Sequence, residues 1–498
     1  MPRSVVAAVA VLGVLVLFAS TAFALVRSTQ LRASRQQIAA LESELARAAH
    51  GAAPSEPVEE PSAPGGPFGD GDDPLGDLFG DGGELGDLFG DNAQQLARCV
   101  EPAGPLGSRH VGAGEPDDQI ARISEIVTDL RELEFDTPPQ PQFLDDEQIA
   151  ERLTEEIRSE YAREDAQLDA RILGTLGAVP RDIDLRQLQE ELMASQVAGF
   201  YDPDSGELVV RTGDTTQGLD PTAQTILAHE LQHAVADQQL ELPVDVTENT
   251  TEGDAALAAL SVIEGDASLT QQQFSIVGLD LSDQLRLNSD PSVLESQRQL
   301  AEVPHYLAQS LQFPYIAGLQ FVCARYLEGG WEAVNAMYED LPASSAEIMD
   351  PARYPTAPVD PRDPGAPGEG WTDARTTTLG AADLWWLFGA PGDDTGRGLE
   401  QARDLALTWT GGKLAVWTDG DDTALGVALT QQQDGGPLCA AVATWYERAF
   451  PDSTEAPTRS GERMIRQDDE QSAVVACHDE EVRLGIAPDL DTARALVS

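Results

Sequence analysis

Apolar residues return at helical spacing through most of the chain, and at period two in only a few places. Ile120, Ile123, Ile126, Val127 and Leu130 fall on one face of an amphipathic helix that begins near Gln119. After a break at Pro138–Pro141, residues 145–173 predict further helix, with Glu and Arg crowded on one face, and Gln187–Gln196 predicts another. The period then changes. Val197–Tyr201 and Glu207–Arg211 read as two strands joined by the turn Asp202–Gly206. Asp220 is a good N-cap, Pro221 suits the first helical position, and Thr222–Gln239 contains neither Gly nor Pro. A hairpin therefore stands before a helix. A polar loop, Leu242–Glu252, leads to a second, Ala-rich helix at about 253–274, and residues 292–340 are mostly helical.

The Pro-rich stretch 349–370 marks a boundary. Beyond it, residues 371–498 mix helices with a hairpin built from Leu405–Thr410, Lys413–Thr418 and Ala424–Leu429. Trp385, Trp386, Trp409, Trp417 and Trp445 supply much of the core there. The expected class is α+β and predominantly helical, with a main domain at 119–348, a connection at 349–370 and a small C-terminal α+β module at 371–498.

The first part of the chain reads differently. Ser4–Val26 carries no charge and is bounded by Arg3 and Arg27, so residues 1–27 predict a membrane-spanning anchor. Ala22-Phe23-Ala24 offers the alternative of a cleaved signal peptide. With only three residues before the span, the bulk of the chain is placed outside the cell membrane as a single-pass protein. Leu31, Ile38 and Leu45 stand seven apart within a stalk at 28–50, either a weak dimerisation helix over 28–49 or a lone solvated one. Residues 51–118 are an acidic Gly/Pro-rich linker. Inside it Leu75–Asp81 is repeated as Leu85–Asp91, a spacer or a docking peptide for a partner.

Charge narrows the partners. The net charge is -55 and the single Lys is Lys413, which excludes nucleic acid or an anionic membrane face held by charge. Four Cys (Cys99, Cys323, Cys439, Cys477) form no C-x-x-C pair and suggest two disulfides. Of three possible pairings, Cys439–Cys477 is favoured because both lie in the C-terminal module; four buried thiols are the alternative.

The chemistry concentrates at His229-Glu230-Leu231-Gln232-His233. Only six His occur in the chain, and two stand here four apart on one helix face, able to share a metal ion, with Glu230 beside them. A catalytic zinc takes a third protein ligand. A metzincin tail would require Gly and His where Ala236 and Gln239 stand, so that reading fails. Glu264, 31 residues past His233 in an apolar run, is the best third ligand, since a buried carboxylate there needs a partner; hydrogen bonds or an Arg would be the bland alternative. Should Glu264 point away, Asp237 or Asp254 come next.

With HELQH on one helix and Glu264 on a following one, the chain resembles the gluzincin zinc peptidases. More closely, HELQHAVADQQ followed by Glu264-Gly-Asp-Ala looks like membrane-anchored bacterial proteins of the peptidase MA-like kind. The resemblance spans roughly Val197–Ser268. It implies a zincin-like domain, Zn2+ held by His229, His233 and Glu264, and Glu230 as general base in peptide hydrolysis. The thermolysin-type pattern places an Asp four residues past the ligand Glu; here that position is Ser268, which leaves Asp237 or Asp266 to hold an imidazole N–H. His305, Tyr306 and Tyr315 are oxyanion candidates by residue type, and the strand ending at Arg211 is a candidate for pairing with an extended peptide. The expected function is an extracytoplasmic zinc metallopeptidase acting on a peptide or protein. The alternatives are a non-catalytic, zinc-stabilised envelope scaffold and a hydrolase of a non-peptide amide or ester.

Overall fold

In the computed structural model of the protein, residues 93–101, 109–213, 215–433 and 435–498 are described. The expected anchor at Ser4–Val26, the stalk and the Leu-Phe repeat lie outside these residues. Among the described residues no helix is long and apolar enough to cross a membrane.

The end of the expected linker is ordered. Ala93–Val100 is a helix, and Leu96, Cys99 and Val100, spaced i, i+3, i+4, are buried in the main core. Eight residues between Gly/Pro-rich flanks are too few for periodicity to separate helix from linker. The amphipathic helix starts at Pro116 and runs to Arg131, burying Ile123, Ile126, Val127 and Leu130. Helices Asp146–Glu160, Arg163–Thr175 and Leu185–Gln196 follow. The first is closed by a reciprocal cap between Asp145 and Gln148.

The hairpin forms, with an extra strand. Strand β1 (Gln142–Leu144) lies parallel to β3 (Glu207–Arg211), and β2 (Gly199–Asp202) pairs antiparallel on the other side of β3, in the order β1-β3-β2. This corrects one expectation. The strand ending at Arg211 is central, with both edges paired, so it offers no edge to a peptide; the outer edge beside the motif helix belongs to β2.

The motif helix spans Pro221–Leu240, with the Asp220 carboxylate accepting from the Ala223 N–H at 2.8 Å. It is buried almost all round, as befits a helix wrapped by others. The Glu264 helix spans Gly253–Val277 and packs against both the motif helix and a long helix, His305–Glu339. The long helix contains Pro314 and bends where Gly329 and Gly330 leave helical geometry. Gly265 and Gly318 set the crossing: a Cβ on Gly318 would stand 2.2 Å from the Ser261 carbonyl oxygen, and one on Gly265 would stand 2.4 Å from Gly318. The two backbones touch there, next to Glu264.

The C-terminal third holds more strand than a hairpin. An antiparallel sheet of seven strands runs β4 (Thr372–Thr378), β5 (Trp409–Asp419), β6 (Asp422–Gln431), β10 (Glu481–Ala487), β9 (Ser472–His478), β8 (Glu462–Gln467) and β7 (Thr454–Glu455). Leu405 and Ala406, expected in a strand, close the short helix Ala402–Ala406, and β5 begins only at Trp409. The Pro-rich stretch is stitched onto this sheet: Val359 N–H donates to the Thr410 carbonyl at 2.7 Å, Gly365 N–H to the Leu496 carbonyl at 2.9 Å, and Lys413 pairs with Asp363. One apolar core runs from Leu96 and Val262 through Phe313 and Trp386 to Leu425 and Ile486, across the expected boundary. Cys439–Cys477 is the disulfide formed; Cys99 and Cys323 are free, buried thiols.

Candidate metal centre

Helical geometry builds the site from two elements. His229 and His233 share one face of the motif helix, and Glu264 faces them from the Glu264 helix. His229 Nε2 stands 3.2 Å from Glu264 Oε2, His233 Nε2 stands 3.1 Å from His229 Nε2, and His233 Nε2 stands 3.6 Å from the same Glu264 oxygen. The same three atoms make all three contacts, so they form a closed triangle. Ligand bonds of about 2.1 Å around a tetrahedral ion place neighbouring ligand atoms about 3.4 Å apart. The triangle has that size.

All members are buried: His229 is 2% exposed, and Glu230, His233 and Glu264 are 0% exposed. Both Nδ1 atoms, both Glu230 oxygens and Glu264 Oε1 are buried without a hydrogen-bond partner. So many unsatisfied polar atoms in one place are costly unless a ligand completes them. Among the described residues, this is the one cluster of His, Cys, Asp or Glu with metal-ligand spacing. The chemistry of the set, two imidazoles and a carboxylate, suits zinc.

Electrostatics follow from burial. Burial lowers the His229 pKa, against the opposing pull of Glu264. Burial alone would raise Glu264, but the two imidazoles outweigh it and hold the carboxyl below its usual range. Glu230 has no such partner; burial and then the Glu264 charge push it well above the ordinary value. Gly199 at the start of β2 lies against it: a Cβ there would stand 3.2 Å from Glu230 Oε1 and 2.7 Å from Ile226 Cγ2. A cleft of about 260 Å³ is lined by Val197, Ala198, Arg211, Thr222, Ile226 and Asp290; Ala198 is the residue before Gly199.

The other candidates separate. The Tyr315 ring stacks on His229 with centroids 6.3 Å apart, so Tyr315 is at the site. His305 and Tyr306 are not. Both turn to the C-terminal module, where Tyr306 donates to Asp383 and His305 Nε2 lies near Gly389. Neither acid proposed to hold an imidazole does so. Asp237 accepts from the Tyr201 hydroxyl at 2.8 Å, and Asp266 is clasped by Arg131 at 2.8 and 2.9 Å and by the Tyr338 hydroxyl at 2.9 Å. Asp254, the fallback ligand, lies in the first turn of the Glu264 helix and accepts from Ser345 N–H instead. Arg131 was missed in the sequence. It is fully buried, stacked 4.4 Å over Trp331, and anchors the Glu264 helix two residues past the ligand. Nothing in its local sequence distinguishes it from a surface Arg at a helix end.

No protein family, curated protein or solved structure gave a match to the chain.

Proposed function

We propose that the protein is a zinc metallopeptidase of gluzincin type, held outside the membrane through Ser4–Val26 and hydrolysing peptide bonds with Glu230 as general base. The observation that carries this reading is the triangle of His229 Nε2, His233 Nε2 and Glu264 Oε2, with edges of 3.1, 3.2 and 3.6 Å, beside a carboxylate that makes no hydrogen bond. A proton could relieve one edge of such a triangle; a divalent ion relieves all three.

His229, His233 and Glu264 would hold the ion. Bound zinc supplies a Lewis acid that acidifies a water and polarises a carbonyl. Glu230, the residue after His229, takes the water's proton and delivers it to the departing amine. With Glu264 engaged as a ligand, one of the two causes that keep the Glu230 proton on is removed, so more of Glu230 is ionised and free to accept a proton. Tyr315, stacked on His229, is the remaining candidate to donate to the developing oxyanion. Once the site opens, the outer edge of β2 and the cleft lined by Val197 and Ala198 would be the approach of an extended chain to Glu230.

One observation favours a second reading, the zinc-stabilised scaffold: Glu230 and the ligands are sealed from solvent, so catalysis requires the site to open. The test is zinc content and turnover on a peptide library for the wild type and Glu230→Gln. The enzyme reading expects hydrolysis that Glu230→Gln abolishes while zinc stays stoichiometric. Stoichiometric zinc with no turnover by the wild type selects the scaffold, and unchanged turnover in Glu230→Gln removes Glu230 from the chemistry.

A further inference from the structure

Only one of the two nitrogens of His229 has been accounted for. Nε2 belongs to the triangle, whereas Nδ1 is buried and makes no hydrogen bond. When Nε2 gives its lone pair to an ion, the ring proton must sit on Nδ1. A ligand histidine ordinarily passes that proton to an acceptor, which fixes the tautomer and the ring orientation. The two aspartates nearest in sequence are spent, Asp266 on Arg131 and Tyr338 and Asp237 on Tyr201, while Glu264 is itself a ligand and Glu230 is assigned to the chemistry. One turn past Glu264 stands Ser268 rather than an acid.

Gln271 is seven residues past Glu264, on the same face of that helix two turns on, and is 3% exposed. Its Nε2 donates to the Thr225 carbonyl at 3.2 Å. Thr225 lies one turn before His229 on the motif helix. Side chains on a helix lean towards its N-terminus, so the His229 ring covers that turn. The Gln271 amide is thereby tied down at its nitrogen end. Its oxygen can only accept, and a Gln271 hydrogen bond is among the influences on the His229 ring.

We propose that Gln271 is the positioning residue for His229, its Oε1 accepting the Nδ1–H when Nε2 binds the metal. The assignment rests on the reading of His229, His233 and Glu264 as a metal centre. It gives this chain an amide, one turn further along the helix, where an acid would otherwise stand.

The experiment measures zinc affinity of the full chain by chelator competition, for the wild type, His229→Ala, Gln271→Leu and Gln271→Glu, with the melting temperature of each zinc-free protein alongside. Gln271→Leu is expected to bind zinc about 10–100-fold more weakly. Gln271→Glu, which keeps an acceptor, is expected to restore the wild-type affinity within about threefold. In cobalt-loaded protein, the Nδ1–H of each ligand histidine gives an exchangeable, paramagnetically shifted proton signal. One of the two should lose its protection from solvent exchange in Gln271→Leu and regain it in Gln271→Glu.

Zinc bound by Gln271→Leu within twofold of the wild type overturns the proposal while leaving the metal centre standing. So does equal weakening by Leu and Glu. Equal zinc uptake by the wild type and His229→Ala overturns the metal centre itself, and the proposal with it. Should Gln271→Leu fail to fold, affinity and proton exchange in Gln271→Glu decide alone.

Discussion

Replacing Asp254 by Asn should stabilise the protein at pH 8 and do nothing at pH 4. Asp254 lies in the first turn of the Glu264 helix, 4% exposed, where it lies over the open face of Gly380. Oδ1 accepts from Ser345 N–H at 3.1 Å, and Oδ2 is buried without a partner. Burial is the main cause that pushes its pKa up to about 7; Asp383 and Glu347 add their charges, and the Ser345 hydrogen bonds oppose. The sign follows from proton binding. Between about pH 4 and pH 7 the folded protein keeps a proton that the unfolded chain has released, so stability falls as pH rises through that window. Three pH units at about 1.4 kcal/mol each give a penalty of about 4 kcal/mol, complete above pH 7. An asparagine oxygen keeps the Ser345 contact and carries no charge. With an unfolding entropy of about 2.1 cal/mol/K per residue over roughly 400 described residues, 4 kcal/mol corresponds to about 5 °C. Calorimetric scans of wild type and Asp254→Asn at pH 4, 5, 6, 7 and 8 should show a gap that is near zero at pH 4 and opens to about 5 °C at pH 8. A constant gap across the series, or a less stable variant at pH 8, would refute the account.

Three further outcomes are expected. Gly318→Ala drives a methyl group against the Ser261 carbonyl and should cost about 1–3 kcal/mol or more in urea unfolding; because the displaced helix carries Glu264, zinc affinity should fall with stability, and a silent variant would place the crossing elsewhere. Arg131→Ala leaves the Asp266 carboxylate with the Tyr338 hydroxyl but no cation, both members of the ion pair being 0% exposed, and should cost about 3–5 kcal/mol; a loss below about 1 kcal/mol would mean water reaches Asp266. Breaking Cys439–Cys477, which closes a loop of sequence separation 38, should remove about 4 kcal/mol in the chain-entropy account, read as the difference between Cys439→Ser/Cys477→Ser and the wild type in guanidinium melts.

What could be read in the sequence was what local chemistry decides. Asp220 and Pro221 bound the motif helix because capping depends on adjacent residues, and the helix starts where they place it. Glu264 stood out because a carboxylate inside an apolar run needs a partner. The residues around them could not be read, because distant segments choose their partners. Asp237 has the right spacing from His233 to support it, yet β2 brings Tyr201 to Asp237 first. Asp266 is the other acid placed to hold an imidazole, but Arg131, 135 residues away, arrives with two donors. His305 and Tyr306 suited the site by type, and the C-terminal module claims both. The seven-stranded sheet was seen only as a hairpin because strands such as Ser472–His478 are buried on both faces and lose the alternation that marks a strand.

The core that runs unbroken from Leu96 to Ile486 has a consequence for how such a protein can be controlled. A zymogen that is switched on by clipping off a tail needs a seam, a place where the tail can leave without tearing apolar surface from the part that stays. Residues 349–370 look like a seam in the sequence, but their backbone is hydrogen-bonded to Thr410 and Leu496, and Trp386 beyond them packs on Phe313 before them. Cutting there would unmake the protein that carries His229, His233 and Glu264. The final third of the chain is therefore not a detachable inhibitor.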